Sequence, residues 1–144
     1  MLRTVTIAML LVGFGWPGGV LAEGVAGVEV IVNQSVTIRS MSKYQLRTLF
    51  GMRQPALPDG QQVRVFVLAD DNPLHRQFAK RVLGVFPHQL RRSWNNLVFS
   101  GLAQAPTEVA NQQQMLERVA NTPGAVGYAP AGEGYAQTHV LSVR

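Results

Sequence analysis

The chain has 144 residues, 47% of them hydrophobic, with 13 Lys and Arg against 8 Asp and Glu and no cysteine. That length suits one domain with a respectable core, and the lack of cysteine excludes a disulfide framework, a thiolate metal site and a cysteine nucleophile. The net charge of +5 fits an anionic ligand or an anionic surface, but the charges are too scattered to indicate nucleic acid.

From Met1, Arg3 supplies a positive start and Val5 to Phe14 runs mostly apolar, too short a run for a bilayer span of about 20 residues. Pro17, Gly18 and Gly19 then break the segment before Val20-Leu21-Ala22, a small-residue site of the kind that signal peptidase reads. The expectation is a signal peptide over residues 1–22, cleaved before Glu23, and a periplasmic domain over 23–144. Arg3 leaves with the leader, so 13 cations become 12 against 8 acids, a net +4. No later segment is apolar enough to be an integral membrane helix. The cysteine-free composition suits the periplasm, where unpaired thiols are a hazard.

In chain order, Val28 to Val32 is short, β-branched and apolar on both faces, as expected of a buried strand. Ser42-Lys43-Tyr44-Gln45 has capping-box spacing, and Tyr44, Leu46, Leu49 and Phe50 form an apolar stripe up to Gly51, which predicts a helix from Ser42 to Phe50. Pro55, Pro58, Asp59 and Gly60 mark a loop, followed by a strand over Val63 to Leu68. Pro73 then opens a helix capped by Asn72 or Asp71, with Leu74, Phe78, Val82 and Leu83 at helical spacing and Gly84 at its end.

A further helix starts near Pro87 and presents Leu90 and Trp94, ahead of the apolar patch Leu97-Val98-Phe99. The four-residue spacing puts Trp94 where Leu90 points, toward the core. Thr107 to Asn121 reads as another helix, with Val109, Met115, Leu116 and Val119 inward and Gln112 to Gln114 outward. Thr122-Pro123-Gly124 ends it, and Ala125 to Tyr128 and Val140 to Val143 complete the strands. Alternating strands and helices predict an α/β fold, a mostly parallel sheet with helices on both faces. Gly124 reads as a turn and Gly127 as a close approach rather than a nucleotide loop.

Three stretches together carry a resemblance. Ser42 to Gly51 resembles the S-x-x-x-L-x-x-I-F-x-G helix of the phosphate-binding proteins of ABC transporters (the PstS-like family). Val63 to Leu68 with the Leu74-x-x-x-Phe78 helix resembles their next unit, and Thr122-Pro123-Gly124-Ala125-Val126-Gly127-Tyr128 resembles their T-P-G-A-I-G-Y signature. The order agrees, over about Val28 to Tyr128. The resemblance implies a single-lobe form of the type II periplasmic binding-protein fold, non-enzymatic and without a cofactor, with phosphate or another small oxyanion as ligand. The family's Gly- and Ser-rich anion loop has no counterpart between Glu23 and Ser42. Its ligand loop after the second strand here reads Leu68-Ala69-Asp70-Asp71-Asn72-Pro73.

The candidate ligand-binding residues are therefore Ser42, Asp70, Asp71, Asn72, His75 and Arg76, at the starts of two helices. Free amides there attract anions. An aspartate in that place either caps the helix or accepts the proton of a hydrogen phosphate, as the family is thought to do. His75 and Arg76 are the nearest cationic partners, although a solvated helix face is the simpler fate of both. Arg91 and Arg92, beside Trp94, are a candidate partner surface for an envelope complex or a homodimer, or ordinary surface charge. His75, His88 and His139 lack the spacing of a metal site, and neither a nucleophile elbow nor a separated acid and base indicates hydrolysis.

Overall fold

A computed structural model describes residues 27–54, 56–132 and 135–144. The expected leader and cleavage site, Pro55 of the expected loop, and residues 133–134 lie outside these. Among the described residues six strands form one sheet: β1 (Val28–Asn33), β2 (Ser40–Met41), β3 (Arg64–Val67), β4 (Thr107–Glu108), β5 (Ala125–Pro130) and β6 (Thr138–Val143). Their order across the sheet is β2-β6-β1-β5-β3-β4. Three of the five pairings are parallel, and β1 runs antiparallel to both of its neighbours. Five strands therefore point one way, and their carboxyl ends share one rim of the sheet.

The described helices α1 (Lys43–Phe50), α2 (Pro73–Gln77), α3 (Pro87–Phe99) and α4 (Gln112–Asn121) cover the sheet, and α2 continues into a π-helical segment over Phe78–Leu83. Alternation along β5 sorts them between the two faces. A Cβ on Gly127 would meet Met115 and Val119 of α4. Its neighbour Tyr128 stacks on Phe78 at 4.0 Å and lies 6.2 Å from Phe50. So α4 covers one face, while α1 and the π-helical segment cover the other. Trp94 brings α3 to that second face through its indole N–H, which donates to the Phe50 carbonyl at 2.7 Å. The core joins both layers through Ile31, Val126, Tyr128, Phe50, Phe78, Trp94 and Met115.

Local chemistry sets the helix starts. Ser42 and Gln45 exchange the two hydrogen bonds of a capping box, at 3.2 and 2.8 Å, as the spacing predicts. Asn72, not Asp71 or Asp70, caps α2 by accepting from the Leu74 amide at 2.9 Å, with Pro73 at the first helical position. Gly84, at φ 68°, closes the π-helical segment in a left-handed conformation that glycine adopts without strain.

Three expectations are corrected. The helix expected from Thr107 starts only at Gln112, capped by Asn111, which accepts from the Gln114 amide at 2.9 Å. Thr107 and Glu108 instead add an edge strand to β3, and the Val109 amide donates to the Val67 carbonyl at 2.8 Å. Leu97 to Phe99 do not follow α3 but form its last turn, with Val98 and Phe99 exposed. Tyr44 leaves the apolar stripe of α1 and points to solvent, while Leu46, Leu49 and Phe50 are buried.

The two glycines of the Thr122 to Tyr128 stretch have separate physical reasons. Gly124 has φ 73°, and a Cβ there would lie 2.5 Å from the Gln62 carbonyl oxygen, so it makes the turn into β5. Gly127 lets α4 approach the sheet, since its Cβ would sit 2.6 Å from the Met115 sulfur and 2.9 Å from a Val119 methyl. Gly127→Ala overpacks this contact and is expected to cost about 1–3 kcal/mol. A lowered urea midpoint measures the loss, and an unchanged midpoint contradicts the close approach.

Candidate functional site

The rim at the carboxyl ends of β3, β4 and β5 brings together a cluster of titratable side chains. Beyond β3, Asp70 accepts two hydrogen bonds from Arg91 of α3, each 2.9 Å long. Arg91 also reaches Glu108 of β4 at 3.4 Å, and its guanidinium carbon lies 5.0 Å from the Trp94 ring centroid. One guanidinium thus bridges two carboxylates and rests on an indole, a geometry that arginine's planar fork serves and lysine's ammonium does not. Arg91 and Asp70 are both partly exposed. Solvent therefore reaches this clasp.

Beneath the clasp is a buried pair. His75 is 0% exposed, and its Nδ1 lies 2.5 Å from the Tyr128 hydroxyl, which accepts the Leu68 amide at 2.8 Å. Burial pushes the Tyr128 phenol well above its ordinary range, only partly offset by the Leu68 amide. The hydroxyl therefore keeps its proton and donates it to Nδ1. Burial likewise lowers the pKa of His75, against the opposing pull of Asp70, so the ring is neutral with its proton on Nε2. That N–H has no hydrogen-bond partner among the described residues, and the Asp70 carboxylate is 3.9 Å away.

The expected site residues separate accordingly. Asp70 and His75 come together at this rim, joined by Arg91, which the sequence assigned to a partner surface. Asn72 serves as the cap of α2. Asp71 is exposed, and the exposed Arg76 donates to its backbone carbonyl. Ser42 lies on the same rim beside β2, four strands from β3, a separation of about 19 Å. Its oxygen and amide are both engaged in the capping box. Ser42 and Asn72 therefore do not form one cradle. His75 is not on a solvated face, because it turns inward under Trp94 and Tyr128, at ring distances of 6.3 and 5.9 Å. Arg92 is exposed.

Sequence reasoning missed Glu108 and Tyr128 as members of the cluster. Tyr128 carried a signal in the T-P-G-A-V-G-Y stretch, but Glu108 carried none. Among the described residues no group of three or more metal-ligating side chains is placed to hold an ion, and no helix is long and apolar enough to cross a membrane. Asp70 is the acid nearest His75, but the imidazole is buried beneath it with no room for a substrate between them.

No protein-family model and no curated protein matches the sequence. Solved structures do match the fold. An ABC-type phosphate transport receptor from Vibrio cholerae is similar with a TM-score of 0.63 at 15% identity, over 81% of this chain and 46% of that one. A phosphate ABC transporter substrate-binding protein from Clostridium perfringens, with bound phosphate, gives 0.63 at 11% identity, over 81% and 44%. PstS from Borrelia burgdorferi gives 0.60 at 15% identity, over 82% and 47%. The likeness extends the sequence resemblance to the fold, that of the periplasmic binding proteins. The chain spans less than half the length of these structures.

Proposed function

We propose that the chain is a non-enzymatic, substrate-binding-like protein of the periplasm, exported by a signal peptide over residues 1–22 with its domain over 23–144, and that it holds a small oxyanion, phosphate first, at the rim of β3, β4 and β5. The observation that carries this reading is the half-exposed Arg91 guanidinium at the carboxyl ends of the strands, where ligands sit in open α/β sheets, in a fold shared with phosphate-binding receptors. Arg91 supplies a bidentate contact to an oxyanion. Asp70 and Glu108 already occupy it, so a dianion enters against two negative charges, each worth on the order of 1 kcal/mol at about 4 Å in water.

Binding by the isolated protein is therefore expected to be weak, with a Kd in the millimolar range, roughly −4 kcal/mol. Titration calorimetry at low salt tests this, with Asp70→Asn and Arg91→Ala alongside. Asp70→Asn removes the competing charge and is expected to tighten binding about five-fold or more, while Arg91→Ala abolishes it. Micromolar binding that Asp70→Asn destroys would instead make Asp70 an acceptor of the ligand's proton. No heat from either the parent or Asp70→Asn sinks the oxyanion reading.

The bidentate Asp70–Arg91 pair also favours a second reading, a ligand-free interaction module of an envelope complex or a homodimer. A guanidinium already satisfied within the chain has no need of a ligand. Tight phosphate binding that appears only with dimer would indicate a cleft shared by two copies.

A further inference from the structure

Charge is distributed very unevenly over this fold. Residues 39–54 and 73–100 contain nine of the 13 Lys and Arg and none of the 8 acids, so the rest of the chain holds four cations against all eight acids. Apart from Arg39 just before β2, these cations belong to α1 and the turn after it, α2 with its π-helical continuation, and α3, the layer on one face of the sheet. The opposite face, covered by α4, carries both signs.

The cations of this layer lie side by side. A Cβ on Gly84 would lie 2.9 Å from atoms of both Arg47 and Lys43, so the end of the π-helical segment touches the exposed side of α1. Tyr44, Arg47 and Arg53 face Gln89 and Ser93 across a groove of about 300 Å³ between α1 and α3. Lys80 lies 5.5 Å from the centroid of the Phe86 ring. Arg92 is exposed one turn beyond Gln89. Arg91 and Arg76 turn away to the rim, where Arg76 donates to the Asp71 carbonyl.

Large apolar side chains stand among these cations. Tyr44 is 75% exposed, Phe86 51%, Phe99 89% and Leu102 78%. Phe99 follows Arg92 by seven residues, which puts both on the same side of α3. Burial does not explain these side chains, and neither does the rim cluster. A surface that joins lysine and arginine with protruding aromatic and leucine side chains, built from stretches without Asp or Glu, is complementary to the lipid–water interface. The cations there meet anionic headgroups, and the rings enter the boundary with the acyl chains. An acidic protein would account for the cations, but it gives no reason for four outward apolar side chains on this helical layer.

The structure assigns this face to peripheral docking on an anionic phospholipid surface, with Lys43, Arg47, Lys80 and Arg92 as headgroup contacts and Tyr44, Phe86 and Phe99 as interfacial anchors. This docking is independent of any oxyanion at the rim, because the side-chain hydrogen bonds of Arg91 run to Asp70 and Glu108 and not to these residues.

Co-sedimentation of protein recovered from the periplasm tests it, with vesicles of phosphatidylglycerol and phosphatidylethanolamine at about 3:7 and, separately, of phosphatidylcholine alone. The neutral vesicles measure any purely apolar adsorption. Binding to the anionic vesicles alone is expected, weakening as salt screens the charges. Each of Lys43→Gln, Arg47→Gln and Arg92→Gln is expected to lower the partition coefficient about five-fold, and Phe99→Ser to lower it without changing the salt dependence. Lys43, Arg92 and Phe99 are exposed, so an unchanged urea midpoint confirms that those variants fold, whereas Arg47 also donates to the Leu83 carbonyl and its variant is compared at conditions where its own midpoint shows it folded. Equal binding to both vesicle types, no binding at low salt, or variants that bind like the parent overturns the assignment. So does retention on a polyglutamate column without vesicle binding, which would give the face to an acidic protein.

Discussion

Trp94→Ala is expected to lower the stability of the domain by about 3–5 kcal/mol, the range for removing a buried tryptophan from a packed core. The indole is fully buried and joins three parts of the structure. Its ring lies 6.3 Å from His75 and 5.0 Å from the Arg91 guanidinium carbon, and its N–H donates to the last residue of α1. Truncation opens a cavity and strips the Phe50 carbonyl of its side-chain donor, a loss that adds to the cavity cost. Trp94→Phe keeps most of the volume and isolates the hydrogen bond, at about 0.5–1.5 kcal/mol plus a small void. Urea midpoints read both values. An unchanged midpoint for Trp94→Ala would place the indole outside the core, where it would serve as an anchor for a partner beside Arg91 and Arg92.

What the sequence reveals here follows the range of the interactions involved. The capping box of Ser42 and Gln45, the Asn72 cap with Pro73, and the Leu90–Trp94 stripe each lie within one helical turn, so spacing alone exposes them. Gly124 and Gly127 are legible for the same reason, since a left-handed turn and a close approach both select glycine. The rim cluster is not local. Asp70 and Arg91 are 21 residues apart, and His75 and Tyr128 are 53 apart. A helix wheel places His75 on a face, but not beneath a strand that comes so much later in the chain.

The misplaced start of α4 has a similar cause. Thr107 to Val109 extends the apolar period of the helix backwards, yet it pairs with β3 because that strand's outer edge is otherwise open. Asn111 offers a stronger local stop than the period offers a start. The antiparallel course of β1 escapes the sequence entirely. Strand patterning reports burial on two faces but not direction, and β1 reads as continuously apolar whichever way its neighbours run.

Lowering the pH is expected to destabilise the domain through His75, and Tyr128→Phe to destabilise it at every pH. The His75 pKa is depressed in the folded state below its ordinary 6.5, chiefly by burial. Near pH 6.5 the unfolded chain begins to take up a proton that the folded chain refuses, so the unfolded state binds more protons and stability falls as the pH is lowered. The contribution is intact above about pH 6.5 and is lost progressively below it, down to the depressed folded value, by up to about 1.4 kcal/mol per pH unit. His139, also depressed by burial, acts in the same direction. His75→Phe is therefore expected to flatten the slope between about pH 6.5 and 5 rather than abolish it. A slope identical to the parent's would place the imidazole in water. Tyr128→Phe removes the one hydroxyl shared by the Leu68 amide and His75 Nδ1, leaving two buried polar groups without it. At about 1–3 kcal/mol for each orphaned group, the loss approaches that of Trp94→Ala, although Phe fits the stack on Phe78 without a cavity. Chemical denaturation at pH 8, where both histidines are neutral in either state, separates this cost from the protonation of His75. A midpoint matching the parent's at that pH would mean that water reaches the Leu68 amide and that Tyr128 does not seal the floor of the rim cluster.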